Sequence, residues 1–384
     1  MKIESINIYR VLLHFKGEFS ISQLRGFSTN TIVVETVADG GEIRGYGEAV
    51  PIEFVTGETP ESTFINVVQF CENSSFPWEL NDVSQIRDLV QSLPEDKLYS
   101  SATSAIEMSL LDAIGKKEKK SIIEYFPHDY YSDSVQYGAT ITLGDNKRVV
   151  ELCDLISDLN IKILRIKMGK DLEQDKRSFE IVRSIIGEDC DIRIDPNRAW
   201  DRDLAISHLS LVKEYNVKVV EEPMPSDGFG FEELVDMIRS AGAILMACES
   251  APTFKEVEEI VRKGYYQLIN VKVGRAGGLL RIFKIIDFLR ENGVSFQIGC
   301  SLGESGILSA AGRVVCLLCN DAVYYDGSYD KMLLKENTTV KDVSFDIGGM
   351  AGLLEGPGLG IEVSRENLNK FSSAEPTTIR RPNA

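Results

Sequence analysis

From about residue 135 onward, short apolar runs alternate with longer amphipathic stretches at a nearly constant interval. The runs include YGATITLG, KILRIKMG, DIRIDPN, VVEEP, LMACES, INVKVG and FQIGC. They predict a first strand in YGATITLG, then strands over 162–167, 190–195, 217–221, 244–248, 267–272 and 295–300, and an eighth near 322–326. Stretches such as DLEQDKRSFEIVRSII and RIFKIIDFLRENG carry apolar residues at helical spacing between them. Strands alternating with helices in this way imply parallel pairing through right-handed crossovers. An open doubly wound sheet would normally carry a glycine-rich phosphate turn after its first strand. YGATITLGDNK contains neither GxGxxG nor GxxxxGK[ST]. Seven or eight similar units favour closure into a barrel.

The first 50 residues alternate with a period of two, as strands do, with Asp39-Gly40-Gly41 as a hairpin turn. Gly17 to Gly26 is expected to be a polar loop. Helices are expected over 61–76, 84–93 and 101–120, the last with a basic end that suits the helix dipole. Residues 338–363 are glycine-rich with strand-like flanks, and the polar tail after them is expected to be loose at its end. The expected fold class is therefore α/β. It is a modified (β/α)8-type TIM barrel over 131–337, with an α+β capping domain built from 1–130 and completed by 338–384.

Composition narrows the partners. The chain has 384 residues, 43% of them hydrophobic, with a formal net charge of −17. A surface of that sign repels nucleic acid and anionic membranes, so neither is expected as a partner. Seven dispersed cysteines without a CxxC framework suggest reduced thiols and a cytoplasmic location. No apolar run approaches the length of a membrane span.

The apolar runs carry ionisable residues at or near their C-terminal ends. These are Lys167, Asp195, Glu221, Cys248-Glu249 and Lys272, spaced by 28, 26, 27 and 24 residues. In an eight-stranded barrel the two lysines end strands 2 and 6, which lie opposite each other, and the acids lie between them. Three oxygen ligands from Asp195, Glu221 and Glu249 suit Mg²⁺ or Mn²⁺. Glu249 could equally hydrogen-bond a neighbouring lysine. A small-molecule carboxylate held there would expose its α-carbon to one lysine on each face. That arrangement fits α-proton abstraction to an enediolate, and it requires a lysine whose pKa has fallen.

With these residues in order, the chain resembles the enolase superfamily, and within it the muconate-lactonizing-enzyme-like subgroup. Arg165-Ile166-Lys167-Met168-Gly169 fills the family's K-x-K-x-G pattern, Asp195-Pro196-Asn197 its D-x-N, Glu221-Glu222-Pro223 its E-x-P, and Lys272 its strand-6 lysine. The resemblance implies a metal-dependent isomerase with Lys167 and Lys272 catalytic. It also implies a homo-oligomer, as barrels of this kind often are. The outcome most in keeping with it is racemisation or epimerisation of an N-substituted amino acid or dipeptide. Cycloisomerisation, dehydration or an o-succinylbenzoate-synthase-like elimination remain open on the same site.

Three departures bear on that reading. Cys248 stands where the family's strand-5 D-E-S places an aspartate ligand. Arg165 replaces the first lysine of K-x-K, keeping the charge for carboxylate binding but not the basicity. Tyr324-Tyr325-Asp326 retains one acid of the Asp-x-Asp with which dipeptide epimerases hold an ammonium. Glu304 and Asp326 are candidate substrate-binding residues if strands 7 and 8 present them to the barrel mouth, and helix capping is the alternative for each. Two rival classes remain: a barrel that lost catalysis along with its third ligand, and a Schiff-base aldolase working through Lys272.

Overall fold

The computed structural model describes residues 1–382. The N-terminal portion contains β1 (Ile3–Ile21), β2 (Leu24–Ala38), β3 (Ile43–Ala49), α1 (Glu53–Thr56), α2 (Pro60–Glu72), α3 (Ser84–Ser92) and α4 (Ser100–Glu118). The next elements are β4 (Ser134–Gln136), β5 (Ala139–Ile141), α5 (Asn146–Asp158), β6 (Ile163–Lys167), α6 (Leu172–Ile185), β7 (Asp191–Asp195), α7 (Arg202–Glu214) and β8 (Val219–Glu221). They are followed by α8 (Phe231–Ser240), β9 (Ile244–Ala247), α9 (Phe254–Lys263), β10 (Leu268–Lys272), α10 (Val273–Ala276), α11 (Leu279–Glu291), β11 (Ser295–Gly299), α12 (Gly306–Leu318), β12 (Tyr324–Tyr325) and α13 (Asp330–Leu333). The chain ends with β13 (Met350–Gly352), α14 (Arg365–Phe371) and β14 (Thr377–Arg380).

Eight strands, β5 to β12, form one parallel sheet in sequence order. Its two edges meet where the Gly138 amide donates to the Tyr325 carbonyl at 2.9 Å. These strands are buried on both faces, which is why they read as apolar runs rather than as strict alternations. Strand register puts Lys167 beside Asp195, so the functional ends of neighbouring strands lie level with one another.

One expectation from the sequence is corrected. Residues 17–26 are not a loop: β1 continues to Ile21, turns through Ser22-Gln23 and returns as β2, with Phe19 opposite Gly26 and Ile21 opposite Leu24. The polar residues Glu18 and Ser20 hide an alternation with Phe19 and Ile21 that the hairpin uses. Ahead of its end the tail is held in place, because Thr377–Arg380 pairs antiparallel with β1, and the expected loose end falls on the last positions. Positions 383–384 lie outside the described residues.

The antiparallel sheet sits on α4 through small residues. A Cβ on Gly47 would lie 1.9 Å from the Ala105 carbonyl oxygen, and one on Gly45 would lie 2.1 Å from that of Ser109. Glycine there lets strand and helix approach closely. Buried carboxylates then tie this layer to the barrel. Glu107 on α4 accepts from the Leu279 and Leu280 amides at the start of α11, at 2.5 and 2.8 Å. Glu48 on β3 accepts from the Ser305 and Leu308 amides at the start of α12, at 3.0 and 3.1 Å. Helix N-termini favour negative charge, yet burial pushes both carboxyls up to about 7.

Candidate active site

Lys167 ends β6 and Lys272 ends β10, four strands apart in the eight-stranded sheet. Both side chains line one chamber of about 800 Å³ between the barrel mouth and the β1–β2 hairpin. Arg165, Asn197, Cys248, Glu249, Arg275 and Glu304 line the same chamber. Of the residues singled out from sequence, Asp195, Glu221 and Asp326 lie buried beneath this floor rather than on it.

Local backbone geometry fixes the floor. Asn197 and Arg198, just past Asp195, and Glu222, just past Glu221, have φ of 51°, 60° and 39°. Left-handed backbone is uncommon for such residues and persists where surrounding bonds hold it. Glu222 supplies them: it accepts from the Cys248 and Ser250 amides at 2.9 and 2.8 Å and from Arg198 Nε at 3.1 Å. Its side chain therefore braces the loops and leaves Glu221 facing inward.

The lysines differ in their company. Lys167 donates to Asp195 Oδ2 and, at 3.0 Å, to Asn197 Oδ1. Asn197 in turn donates to Glu249 Oε1 at 2.8 Å. Burial works to lower the pKa of Lys272, but the Cys248 sulfur and the Glu221 carboxylate beside it act the other way, and the ammonium is held above its ordinary value. The sequence argument required a lysine pKa that falls, so the protein's own residues set Lys272 up as a proton donor.

The acids separate by environment. Burial and the neighbouring Glu221 push Asp195 up to about 7, against the pull of Lys167. Glu221 is buried too, but Arg165, Lys167 and Lys272 hold its carboxyl below the usual range. Burial pushes Glu304 up to about 8, so it is largely a neutral acid near pH 7. Burial likewise pushes the Cys248 thiol far up, and its Sγ accepts from Arg275 Nη1 at 3.2 Å.

In kind, the donors suit a hard divalent cation. Three carboxylates come from successive strand ends, the charge of Glu221 and Glu249 opposes ionisation of Asp195, and Glu249 Oε2 is buried with no hydrogen-bond partner. In their present rotamers no three acidic, cysteine or histidine side chains among the described residues enclose an ion site. Asp195 is turned onto Lys167, and Glu221 Oε2 lies 3.4 Å from Arg165 Nη1.

Asp326 meets side chains on other strands. It was a candidate for substrate binding at the mouth, but it accepts from Arg193 Nη2 and Nη1 at 2.9 and 3.1 Å and from Gln297 Nε2 at 3.0 Å. Arg165 Nη1 also lies 3.1 Å from it. Arg193, Asn270 and Gln297 were missed from sequence. Each sits two residues before a strand's last residue, so period-two alternation already placed their side chains on the same face as Asp195, Lys272 and Gly299.

A family model described as enolase C-terminal domain-like matches residues 148–367. The chain belongs to that family. Among relatives of this enolase-type chain, an N-succinyl-L-Arg/Lys racemase of Bacillus cereus is 25% identical over 97% of this chain and 98% of its own length. Its crystal structure superposes with a TM-score of 0.85 at 23% identity, covering 99% of this chain and 100% of that one. A Cytophaga hutchinsonii dipeptide epimerase, solved with Mg and the dipeptide D-Ala-L-Val, gives a TM-score of 0.84 at 21% identity, covering 99% and 100%. A muconate lactonizing enzyme of Pseudomonas fluorescens gives 0.84 at 22%, covering 97% and 99%. These structural likenesses establish the enolase-type fold, a barrel with an N-terminal antiparallel layer.

The neutral state of Glu304 gives a pH prediction. Its folded pKa is raised, so its contribution to stability is present in full below the unfolded value, near 4.3, and is lost as pH rises toward about 8. Glu304→Gln mimics the neutral acid and is expected to flatten the fall in melting temperature between pH 5 and 8. Glu48 and Glu107 share the trend, so the wild type-minus-variant difference isolates Glu304. Parallel melting curves at every pH would contradict this.

Proposed function

We propose that this enolase-family chain is a racemase or epimerase of an N-substituted amino acid or dipeptide, working through the α-proton of a carboxylate substrate. The placement of Lys167 and Lys272 four strands apart around one chamber carries the reading. One amine takes the α-proton from its face, and the other ammonium delivers a proton to the opposite face, so charge and protons balance over a turnover. Arg165, on the chamber floor, offers its guanidinium to the substrate carboxylate. Lys272 enters as the ammonium, and Lys167 is oriented by Asp195 and Asn197. Asp195, Glu221 and Glu249 would hold a divalent cation, Mg²⁺ or Mn²⁺, which supplies Lewis-acid withdrawal of charge from the carboxylate. Seven unpaired cysteines support a reducing, cytoplasmic setting, and among the described residues no helix is long and apolar enough to cross a membrane. We expect a homo-oligomer.

Deuterium wash-in with a panel of N-substituted amino acids tests the reading. Exchange at the α-carbon together with the opposite enantiomer is expected. Exchange with no epimer formed would defeat it. One observation favours a second reading, elimination: Glu304 lines the chamber as a neutral acid able to protonate a leaving group. A β-hydroxy substrate that yields an unsaturated product would identify it.

Cys248 makes the cation testable without turnover. Cys248→Asp places a carboxylate beside Arg275 and is expected to tighten Mg²⁺ binding at least tenfold, about 1.4 kcal/mol. Calorimetric affinity unchanged from wild type would mean that this position does not address the ion.

A further inference from the structure

The inward-facing positions at the barrel mouth do not all carry oxygen. Val219, Met246, Leu268 and Tyr324, on β8, β9, β10 and β12, pack together as one interior layer. Side chains alternate along a strand, so the residue two further on returns to the interior. Those residues are Glu221, Cys248, Asn270 and Asp326. Contacts bear out the level: Asn270 Nδ2 donates to Glu221 Oε1 at 2.8 Å and to Cys248 Sγ at 3.6 Å. On β7, Arg193 pairs with Val219, which brings Asp195 beside Glu221. Three successive strand ends thus present Asp195, Glu221 and Cys248 inward, while Glu249 is one residue out of step.

We propose that the Cys248 sulfur is a direct ligand of the divalent cation, beside Asp195, Glu221 and Glu249, and that the site takes Zn²⁺ in preference to Mg²⁺. The inference deepens the cation assignment made above and rests on it, whatever the stereochemical outcome of the reaction. Zn²⁺ accepts thiolate sulfur, whereas Mg²⁺ takes oxygen. Ligation releases the thiol proton to solvent.

Besides the alternation, two observations carry it. The first is the sulfur's company. Arg275 Nη1 donates to Cys248 Sγ at 3.2 Å and Asn270 Nδ2 at 3.6 Å, and metal ligands are steadied by such outer hydrogen bonds. A cysteine that only fills space packs as a small hydrophobe and needs neither donor. The backbone is pinned as well, because the Cys248 and Ser250 amides both donate to Glu222 Oε1, at 2.9 and 2.8 Å. The second observation is Glu249 Oε2. It belongs to the next residue, which lines the same chamber, and it is buried with no hydrogen-bond partner. A buried carboxylate oxygen in that state is costly unless a cation meets it.

The test uses the full chain, stripped of metal by chelation and titrated anaerobically with Co²⁺ as a spectroscopic stand-in for Zn²⁺. A sulfur-to-cobalt charge-transfer band in the near ultraviolet is expected for wild type and absent from Cys248→Ser. Among the described residues, Cys248 and Cys300 are the cysteines that line the chamber, so Cys300→Ser is the control and should keep the band. A band kept in that control supports Cys248 even if Cys248→Ser melts early. Calorimetry then compares Zn²⁺ with Mg²⁺. Cys248→Ser should weaken Zn²⁺ binding at least about tenfold and leave Mg²⁺ binding far less affected, and Cys248→Asp should weaken Zn²⁺ while tightening Mg²⁺. A band that survives in Cys248→Ser, or Zn²⁺ affinity equal in wild type and both Cys248 variants, would overturn the inference. Bound Co²⁺ without a sulfur band would sink the sulfur ligand and leave the carboxylate site standing, whereas binding of none of the three ions would sink both. A band present without α-deuterium exchange on any N-substituted amino acid would keep the ligand and sink the racemase reading.

Discussion

Replacing Lys272 with alanine is expected to lower conversion between enantiomers by about 10²–10⁴-fold, the usual contribution of a positioned acid or base, while leaving exchange at one face intact. The asymmetry follows from the two lysines' settings. Lys167 is gripped by Asp195 and Asn197 and keeps its geometry when Lys272 is removed. It can still take the α-proton of the enantiomer presented to it and return a solvent-derived proton to the same face. The mirror enantiomer presents its α-proton to the empty side and should stay silent. Lys167→Ala should give the opposite pattern. Chiral chromatography combined with mass detection of deuterium distinguishes the two variants. If either variant exchanges both enantiomers, the two amines do not address opposite faces of one carbon. Loss of all exchange in both variants would instead point to a lysine that only holds the enediolate charge.

Much of this site could be read from the chain because barrel geometry turns strand ends into regular intervals. Lys167, Asp195, Glu221 and Lys272 each sit at a run's last residue, and the structure brings both lysines to one chamber with the acids between them. Within-strand alternation also held a signal for Arg193, Asn270 and Gln297, which share a face with those end residues. The chamber itself could not be read, because it depends on a hairpin whose polar residues resemble a loop. Phe19 and Ile21 matter only once Gly26 and Leu24 pair against them. Asp326 directly follows the last barrel strand, but its neighbours could not be read from the chain. Its partner Arg193 sits on β7, far away in sequence, and only closure of the sheet brings the two together. Cys248 shows a further limit. The residue change is plain from sequence, while its engagement by Arg275 is a tertiary fact.

Arg193→Met is expected to destabilise the fold by about 3–5 kcal/mol, because removing one partner of a buried ion pair strands the other charge. Arg193 is fully buried, makes a two-point contact with Asp326 at 2.9 and 3.1 Å, and sets its guanidinium carbon 4.3 Å from the centre of the Tyr324 ring. Arg165 lies 3.1 Å from the same aspartate, so part of the stranded charge would still be met, and the loss should fall toward the lower end. That compensation has a functional consequence. With Arg193 gone, Asp326 holds Arg165 alone and draws its guanidinium away from the chamber floor. The variant should therefore show a raised KM for carboxylate substrates beyond what its lowered urea midpoint explains. Removing both charges in Arg193→Met with Asp326→Leu should recover stability relative to the single change, since the stranded carboxylate is gone and Arg165 keeps Glu221 at 3.4 Å. It should also free Arg165 and bring KM back toward wild type. Single and double variants with the same urea midpoint would show that Asp326 draws its stability from Arg165 and Gln297, with Arg193 acting as filler beneath the barrel mouth.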